Sequence, residues 1–272
     1  MGLFGSGVEI KTAEQIAAMR RAGVVVGETL ETLRSAVRPG ISTGELDAIA
    51  EDAIRSRGAT PSFLGYEGFT GSICASVNDE VVHGIPGERV LAPGDLVSLD
   101  CGAIVDGWHG DAAISVAVGE VPAEVTALME VTEGAMWRGI AAARLGGRVT
   151  DISHAVEGFV KRSGRYGIVE DYVGHGIGSQ MHQPPNVPNF GRAGKGPKIV
   201  EGLALAIEPM ITLGTKESVV LDDDWTVITA DGSWAAHFEH TMTVTRTGVW
   251  VLTALDGGEE MLTSLGVPFG GS

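Results

Sequence analysis

The sequence predicts an α+β fold in a single domain. Three observations carry this. Amphipathic helices come in two pairs. Each pair is followed by short strand-like runs rather than by a regular strand–helix alternation. No Pro/Ser-rich linker divides the 272 residues, a length within the range of one large domain.

Residues 1–11 read as a loose arm. The first helix is expected to start at Thr12, where Thr12-x-x-Gln15 forms a capping box ahead of Ile16, Met19, Val24 and Leu30. Pro39-Gly40 breaks it. A second helix starts at Ser42-x-x-Glu45, carries Leu46, Ile49, Ala50, Ala53 and Ile54 on one face, and stops at Gly58. Strand-like runs follow at Ser72–Val77, Leu96–Cys101 and Ala112–Val118, separated by turn signals at Asn78-Asp79, Ile85-Pro86-Gly87 and Asp106-Gly107.

Pro122–Arg144 and Thr150–Ser163 then read as helices, with Pro122 suited to a first turn. The last third returns to strands at Leu203–Ile207, Trp225–Thr229, His237–Thr245 and Val249–Leu252, and a flexible tail is expected from about 264 to 272. Sliding the chain by 106 residues places Glu45 on Asp151, Leu46 on Ile152, Ile54 on Val160, Arg55 on Lys161 and Gly58 on Gly164. Two unrelated amphipathic helices can match this well by chance. The alternative is a duplicated α+β unit whose halves meet in one sheet with a ligand site between them.

A hydrophobic content of 44% with 20% charged residues describes a soluble globular chain, and the 40 glycines are scattered without a collagen-like period. The net charge of −16 argues against nucleic acid as a partner, because phosphate binding needs a surplus of Lys and Arg. Cys74 and Cys101 make neither a disulfide framework nor a thiolate zinc site, which fits a reducing compartment. No apolar run approaches a membrane span and no signal-peptide pattern opens the chain, so a cytoplasmic location is expected. Gly2 through Ser6 match the short myristoylation template, a common pattern of low specificity.

The residues that carry chemistry are acids placed where acids are costly. Asp100 ends the apolar run Leu96–Leu99, Asp111 opens Ala112–Val118, Glu208 ends Leu203–Ile207, and Glu239 lies within a strand-like stretch. A buried ionised carboxylate needs a partner. Four together raise one another's pKa values unless cations hold them. Any one alone reads as a strand-end cap or ion-pair member. Together with His175, set among glycines in Gly174-His175-Gly176-Ile177-Gly178, they read as ligands for two divalent ions. An oxygen-rich set with one imidazole suits Mn, Fe(II), Co or Zn without choosing among them.

Five motifs in order resemble those of the type I methionine aminopeptidases. They are Asn78 through Pro86, Asp100 with Asp106 through Asp111, Gly174 through Gly178 followed by His182, Ile207-Glu208-Pro209-Met210, and Phe238-Glu239-His240-Thr241. The resemblance runs from about residue 9 to 255. It implies the pita-bread (creatinase/aminopeptidase) fold, two pseudo-symmetric α+β halves around a central antiparallel sheet. It also implies that Asp111 and Glu239 bridge two cations, with Asp100 completing one site and His175 and Glu208 the other.

Glu208 would carry the proton from water to the leaving amine, and His83 and His182 would contact the substrate. The methionine pocket would be lined by Phe63, Tyr66, Phe69, Met181 and Trp225. Phe63 stands where a cysteine is common in the type, and Met181 where an aromatic is usual. His109, His154, His237 and His240 read as structural. The implied substrate is the initiator methionine of nascent chains with a small second residue, acted on by a monomer that contacts the ribosome only transiently. Two other readings on the same fold are an X-Pro aminopeptidase or prolidase, and a non-catalytic binding module. The first carries an added N-terminal domain, whereas only about 80 residues precede His83; the second should have lost ligands, and all five are present. A thiol hydrolase is weaker, since no histidine is placed to activate Cys101.

Overall fold

The computed structural model describes residues 7–271; the Gly2–Ser6 template lies outside the described residues. Thr12 caps helix α1 (Ala13–Ala36). Its hydroxyl accepts the Gln15 N–H, and the Gln15 side chain accepts the Thr12 N–H at 2.8 Å. Ser42 and Glu45 close the same box at α2 (Thr43–Ser56). Helix α3 spans Ala123–Ala142 with Pro122 at its cap rather than in its first turn, α4 spans Val149–Ser163, and α5 spans Glu259–Ser264.

The central sheet among the described residues has nine strands, all paired antiparallel. Its main path runs Thr60–Pro61, Leu96–Val105, Trp108–Ala117, Glu239–Val244, Ala204–Ile207, Gly174–Gly176 and Gln183–Val187. Ile73–Val77 adds to the second of these and Val249–Val251 to the fourth. Asp106 and Gly107, both at positive φ (52° and 79°), make the two-residue turn that folds Leu96–Val105 back onto Trp108–Ala117. Helix α1 lies so close to this hairpin that a Cβ on Gly110 would sit 2.7 Å from the Gly23 nitrogen, so only glycine fits beside Asp111.

The duplication seen in sequence is present in space. Helices α1 and α3 end at Ala36 and Ala142, and α2 and α4 begin at Thr43 and Val149, the same 106-residue offset each time. Gly40 and Gly146 repeat each other, at φ +88° and +84°, with their N–H groups donating to Leu91 and Ile199 carbonyls at 2.8 Å. The bridges Ser42–Val90 and Arg148–Lys198 repeat as well. The halves meet where Ala112 pairs with His240 and Ala113 with Glu239.

One expected strand is two. His237–Thr245 divides at Phe238: Ala235–His237 joins a three-stranded sheet, and Glu239–Val244 stays in the central one. The neighbouring segment breaks at the same level, between Ala204–Ile207 and Met210–Thr212. Pro209 explains the break, since it has no N–H to give to a ladder. The register nevertheless runs straight through. Ile207 pairs with His240 and Met210 with His237, so Glu208 stands opposite Glu239.

Near both ends of the described residues the backbone is tied to the body. The Lys11 N–H donates to the Gly202 carbonyl at 2.8 Å. Glu9 accepts from the Ser179 hydroxyl at 2.8 Å and from the Gln183 amide at 2.9 Å. The Lys11 ammonium is buried and donates to Gln183 Oε1 at 3.3 Å. In the tail, the Gly270 N–H donates to the Val249 carbonyl at 2.7 Å.

Candidate active site

Strand register alone sets the predicted ligands on one face. Side chains alternate along a strand and directly paired residues share a face. Ala113 pairs with both Asp100 and Glu239, and Asp111 is two residues from Ala113, so all three acids point the same way. Ala206 pairs with Thr241, two residues from Glu239, which brings Glu208 to the same face. His175 follows from the adjoining pair, Gly176 with Leu205. Donor atoms of Asp111, His175 and Glu239 lie within 4.8 Å of one another.

All five groups are buried, and among the described residues none of the four carboxylates forms an ion pair with Lys or Arg. Each keeps one buried oxygen with no hydrogen-bond partner: Asp100 Oδ1, Asp111 Oδ1, Glu208 Oε1 and Glu239 Oε1. Burial first, and then mutual repulsion, pushes Asp111, Glu208 and Glu239 well above the usual carboxylate range. Burial raises Asp100 to about 7.

The imidazole makes the same point. His175 Nδ1 lies 3.0 Å from the Gly176 carbonyl and must donate to it, which leaves Nε2 as an acceptor. That nitrogen is 3.2 Å from Glu208 Oε1, another acceptor. Two acceptors this close need a proton or a cation between them. Burial lowers His175 to about 3, so a second proton on the ring is disfavoured, and the link falls to a proton on the raised Glu208 carboxyl or to a cation. Four carboxylates carry the charge that two divalent cations would neutralise, and the donor set fits such ions.

The predicted substrate residues border the same space. A cavity of about 170 Å³ is lined by Phe63, Tyr66, Phe69, Met181, Trp225, His83 and His182 together with the five ligand candidates. The Tyr66 hydroxyl is 3.0 Å from His182 Nδ1, and the His182 ring lies 4.4 Å from that of His175. His83, at φ 62°, sits edge-on to Tyr172 and Trp225, and burial lowers it to about 4. Trp225 lies ahead of its strand, Val227–Thr229, in a turn whose N–H groups Asp223 accepts.

Three contributors escaped the sequence reading. Cys74 and Glu67 also line the cavity, the first from the strand paired with Leu96–Val105, the second from a turn at φ 48°. Glu67, between Gly65 and Gly68, carried a turn signal that was legible but unread. His237, read as structural, has its Nε2 3.9 Å from Glu239 Oε2 and forms a second donor cluster with Glu208 and Glu239. Of the other histidines, His109 meets the Ser62 hydroxyl at 3.0 Å, His240 meets Thr253 at 2.8 Å on the far face of the sheet, and His154 is near the Gly191 carbonyl. Both cysteines are free, and burial pushes their thiols up, away from the reactive thiolate.

A carboxylate-rich cluster at the seam of two duplicated halves, opening into an apolar cavity, defines a class of metal-dependent hydrolase. The sequence profile of metallopeptidase family M24 matches residues 17–246. The chain is 56% identical to methionine aminopeptidase 1 of Mycobacterium tuberculosis, covering 89% of this chain and 94% of that one. It is 51% identical to the methionine aminopeptidase of Clostridium acetobutylicum, over 93% and 98%. The crystal structure of the Thermotoga maritima methionine aminopeptidase matches with a TM-score of 0.89 at 39% identity, over 91% and 99%. The chain therefore belongs to the methionine aminopeptidases of metallopeptidase family M24, and its fold is the pita-bread fold.

Proposed function

We propose that this enzyme removes the initiator methionine from newly made chains whose second residue is small, using two divalent cations held by Asp100, Asp111, His175, Glu208 and Glu239. The observation that carries the reading is the continuity of one cavity, which joins the apolar wall of Phe63, Phe69, Met181 and Trp225 to the unpartnered carboxylate oxygens. When bound, the cations supply Lewis acidity and lower the pKa of water toward neutrality.

The rest is work for the chain's own groups. The aromatic and thioether wall, with the Cys74 thiol, suits a flexible, polarizable methionine side chain. Glu208 takes the proton of the attacking water and returns it to the leaving amine. Burial, then the neighbouring Asp100 and Asp111, raise its pKa, which makes it a stronger base toward water than an exposed carboxylate. His182, fixed at Nδ1 by Tyr66, and His83, packed against Tyr172, flank the carbonyl as hydrogen-bonding groups. A second groove shares His83, His175, His182 and Glu208 with the cavity and continues past Tyr172, Gln183 and Asn186, a path for the following residues of the substrate.

Among the described residues no helix is long and apolar enough to cross a membrane. We assign the enzyme to the cytoplasm, where nascent N-termini are met, acting as a monomer with transient contact to the ribosome. The test is a metal-reconstituted assay with Met-Ala-Ser, Leu-Ala-Ser and Ala-Pro substrates under Mn, Fe(II), Co and Zn. Cleavage of Met-Ala-Ser is expected with at least one metal. Cleavage of the proline substrate alone, or of none, overturns the reading.

A further inference from the structure

Beside the predicted ligands lies a buried histidine whose position the metal reading leaves unexplained. His237 is 1% exposed, and its Nε2 has no hydrogen-bond partner. Leaving a buried donor or acceptor unpaired destabilises a fold. Nor is the ring free to move with its backbone. The His237 N–H donates to the Ser115 hydroxyl at 2.9 Å, and its carbonyl accepts from that hydroxyl at 2.9 Å. Pairing with Met210 fixes the other side.

The ring is aimed at the acids. His237 and Glu239 are two positions apart, so the alternation along the chain turns both toward the cavity floor even across the break at Phe238. Nε2 stands 3.9 Å from Glu239 Oε2, about 1 Å longer than a typical N–H···O hydrogen bond. The other oxygen, Oε1, is fully buried with no hydrogen-bond partner. Glu208, across the interrupted ladder, completes the cluster within 4.8 Å.

We propose that His237 is a positioning residue for Glu239. Its Nε2–H donates to the Glu239 carboxylate in the metal-loaded enzyme and holds that carboxylate facing into the cavity. The inference rests on the metal centre proposed above. Outer hydrogen-bond partners of this kind fix a ligand's orientation, and their loss typically weakens metal binding about 10- to 100-fold.

The experiment is a Co(II) titration followed by visible absorption and calorimetry on the wild type, His237→Leu and His237→Gln, with thermal melts of each metal-free protein. His237→Leu should bind Co(II) about 10- to 100-fold more weakly with a changed absorption envelope. His237→Gln, whose amide N–H can reach the same oxygen, should restore both. The metal-free melting temperature of His237→Leu should equal or exceed that of the wild type, a result that a merely structural histidine would not give. In wild-type enzyme loaded with Zn(II), ¹⁵N-histidine NMR should show a protonated Nε2 on His237, a readout that needs no variant to fold.

Wild-type Co(II) affinity in His237→Leu overturns the proposal. So does an unprotonated Nε2, which would make the ring a ligand itself. Glu208→Ala and Asp100→Asn separate the two levels of the argument. If they too bind Co(II) normally, the metal centre fails. If only they lose it, His237 alone is wrong.

Discussion

The Tyr66 hydroxyl and His182 Nδ1 stand 3.0 Å apart, with the two rings tilted at 56°. This contact engages one ring nitrogen and leaves the other for the substrate. A single hydrogen bond is worth about 0.5–1.5 kcal/mol, so Tyr66→Phe should lower kcat/KM by roughly 2- to 13-fold. The loss should fall mainly on kcat, because His182 is assigned to the reacting carbonyl rather than to the side-chain pocket. Steady-state kinetics on Met-Ala-Ser check this, and an equal rise in KM at constant kcat would contradict the assignment.

Removing the Glu208 charge separates catalysis from folding. Glu208→Gln keeps the shape of a side chain whose ionised form is strained by burial and by Asp100 and Asp111. The metal-free variant should melt at or above the wild-type temperature. Turnover should drop by about 10²–10⁴, the usual contribution of a general acid–base group.

Stability without metal should depend on pH in a direction opposite to that of most proteins. The four site carboxylates are raised in the folded state, so the fold takes up protons and becomes less stable as pH rises above their unfolded values. His83, His109, His175, His237 and His240 are lowered to about 3 or 4, so they act the other way, but only up to their unfolded value of 6.5. Above pH 6.5 only the carboxylates among these site groups still change. The metal-free melting temperature should fall as pH rises from 6.5 through the folded value of Asp100, about 7, and the increment given by saturating metal should grow over the same window. Calorimetric melts at three pH values, with and without Mn(II), are sufficient. A flat metal-free profile would mean that the acids are already ionised and neutralised by something else.

Met181 and Phe63 line the cavity at the wall proposed for the methionine side chain. Both are almost fully buried and pack together with Phe69 and Cys74. Met181→Ala should raise KM for Met-Ala-Ser by about 10-fold or more, since one methylene in an apolar pocket is worth about 1–3 kcal/mol. Phe63→Ala should admit bulkier N-terminal residues. A competition assay of Met-Ala-Ser against Phe-Ala-Ser reads the change directly.

Glu9 and Lys11 hold the segment that carries Met181 and His182. Glu9 bonds to Ser179 and Gln183 on either side of it, and burial lowers the Lys11 pKa despite the carboxylate 3.5 Å away. Glu9→Ala should leave Lys11 buried beside a missing charge, speed amide exchange across residues 178–183, and cut kcat/KM severalfold. Exchange mass spectrometry with kinetics tests both. Unchanged exchange would show that the segment is held by other contacts.

Much of this molecule was legible in its sequence because strand-end acids leave a local trace. Asp100, Asp111 and Glu208 each interrupt an apolar run, and the capping boxes at Thr12 and Ser42 mark helix starts within four residues. What stayed hidden depends on distant partners. His237 looks like an ordinary strand residue until pairing sets it beside Glu239. Residues 7–11 look loose because nothing nearby in sequence reveals Gly202 or Gln183. The division of His237–Thr245 into two strands is set by Pro209 on the neighbouring strand segment, some 30 residues away, which a local pattern cannot report.

The seam at Ala112 and His240 has a consequence for how the molecule holds together. Asp100 and Asp111 come from one half, and His175, Glu208 and Glu239 from the other. Neither half alone carries all five proposed ligands, so the proposed activity is a property of their junction. Cations held there would act as a clasp, tying two halves whose buried carboxylates would otherwise push them apart.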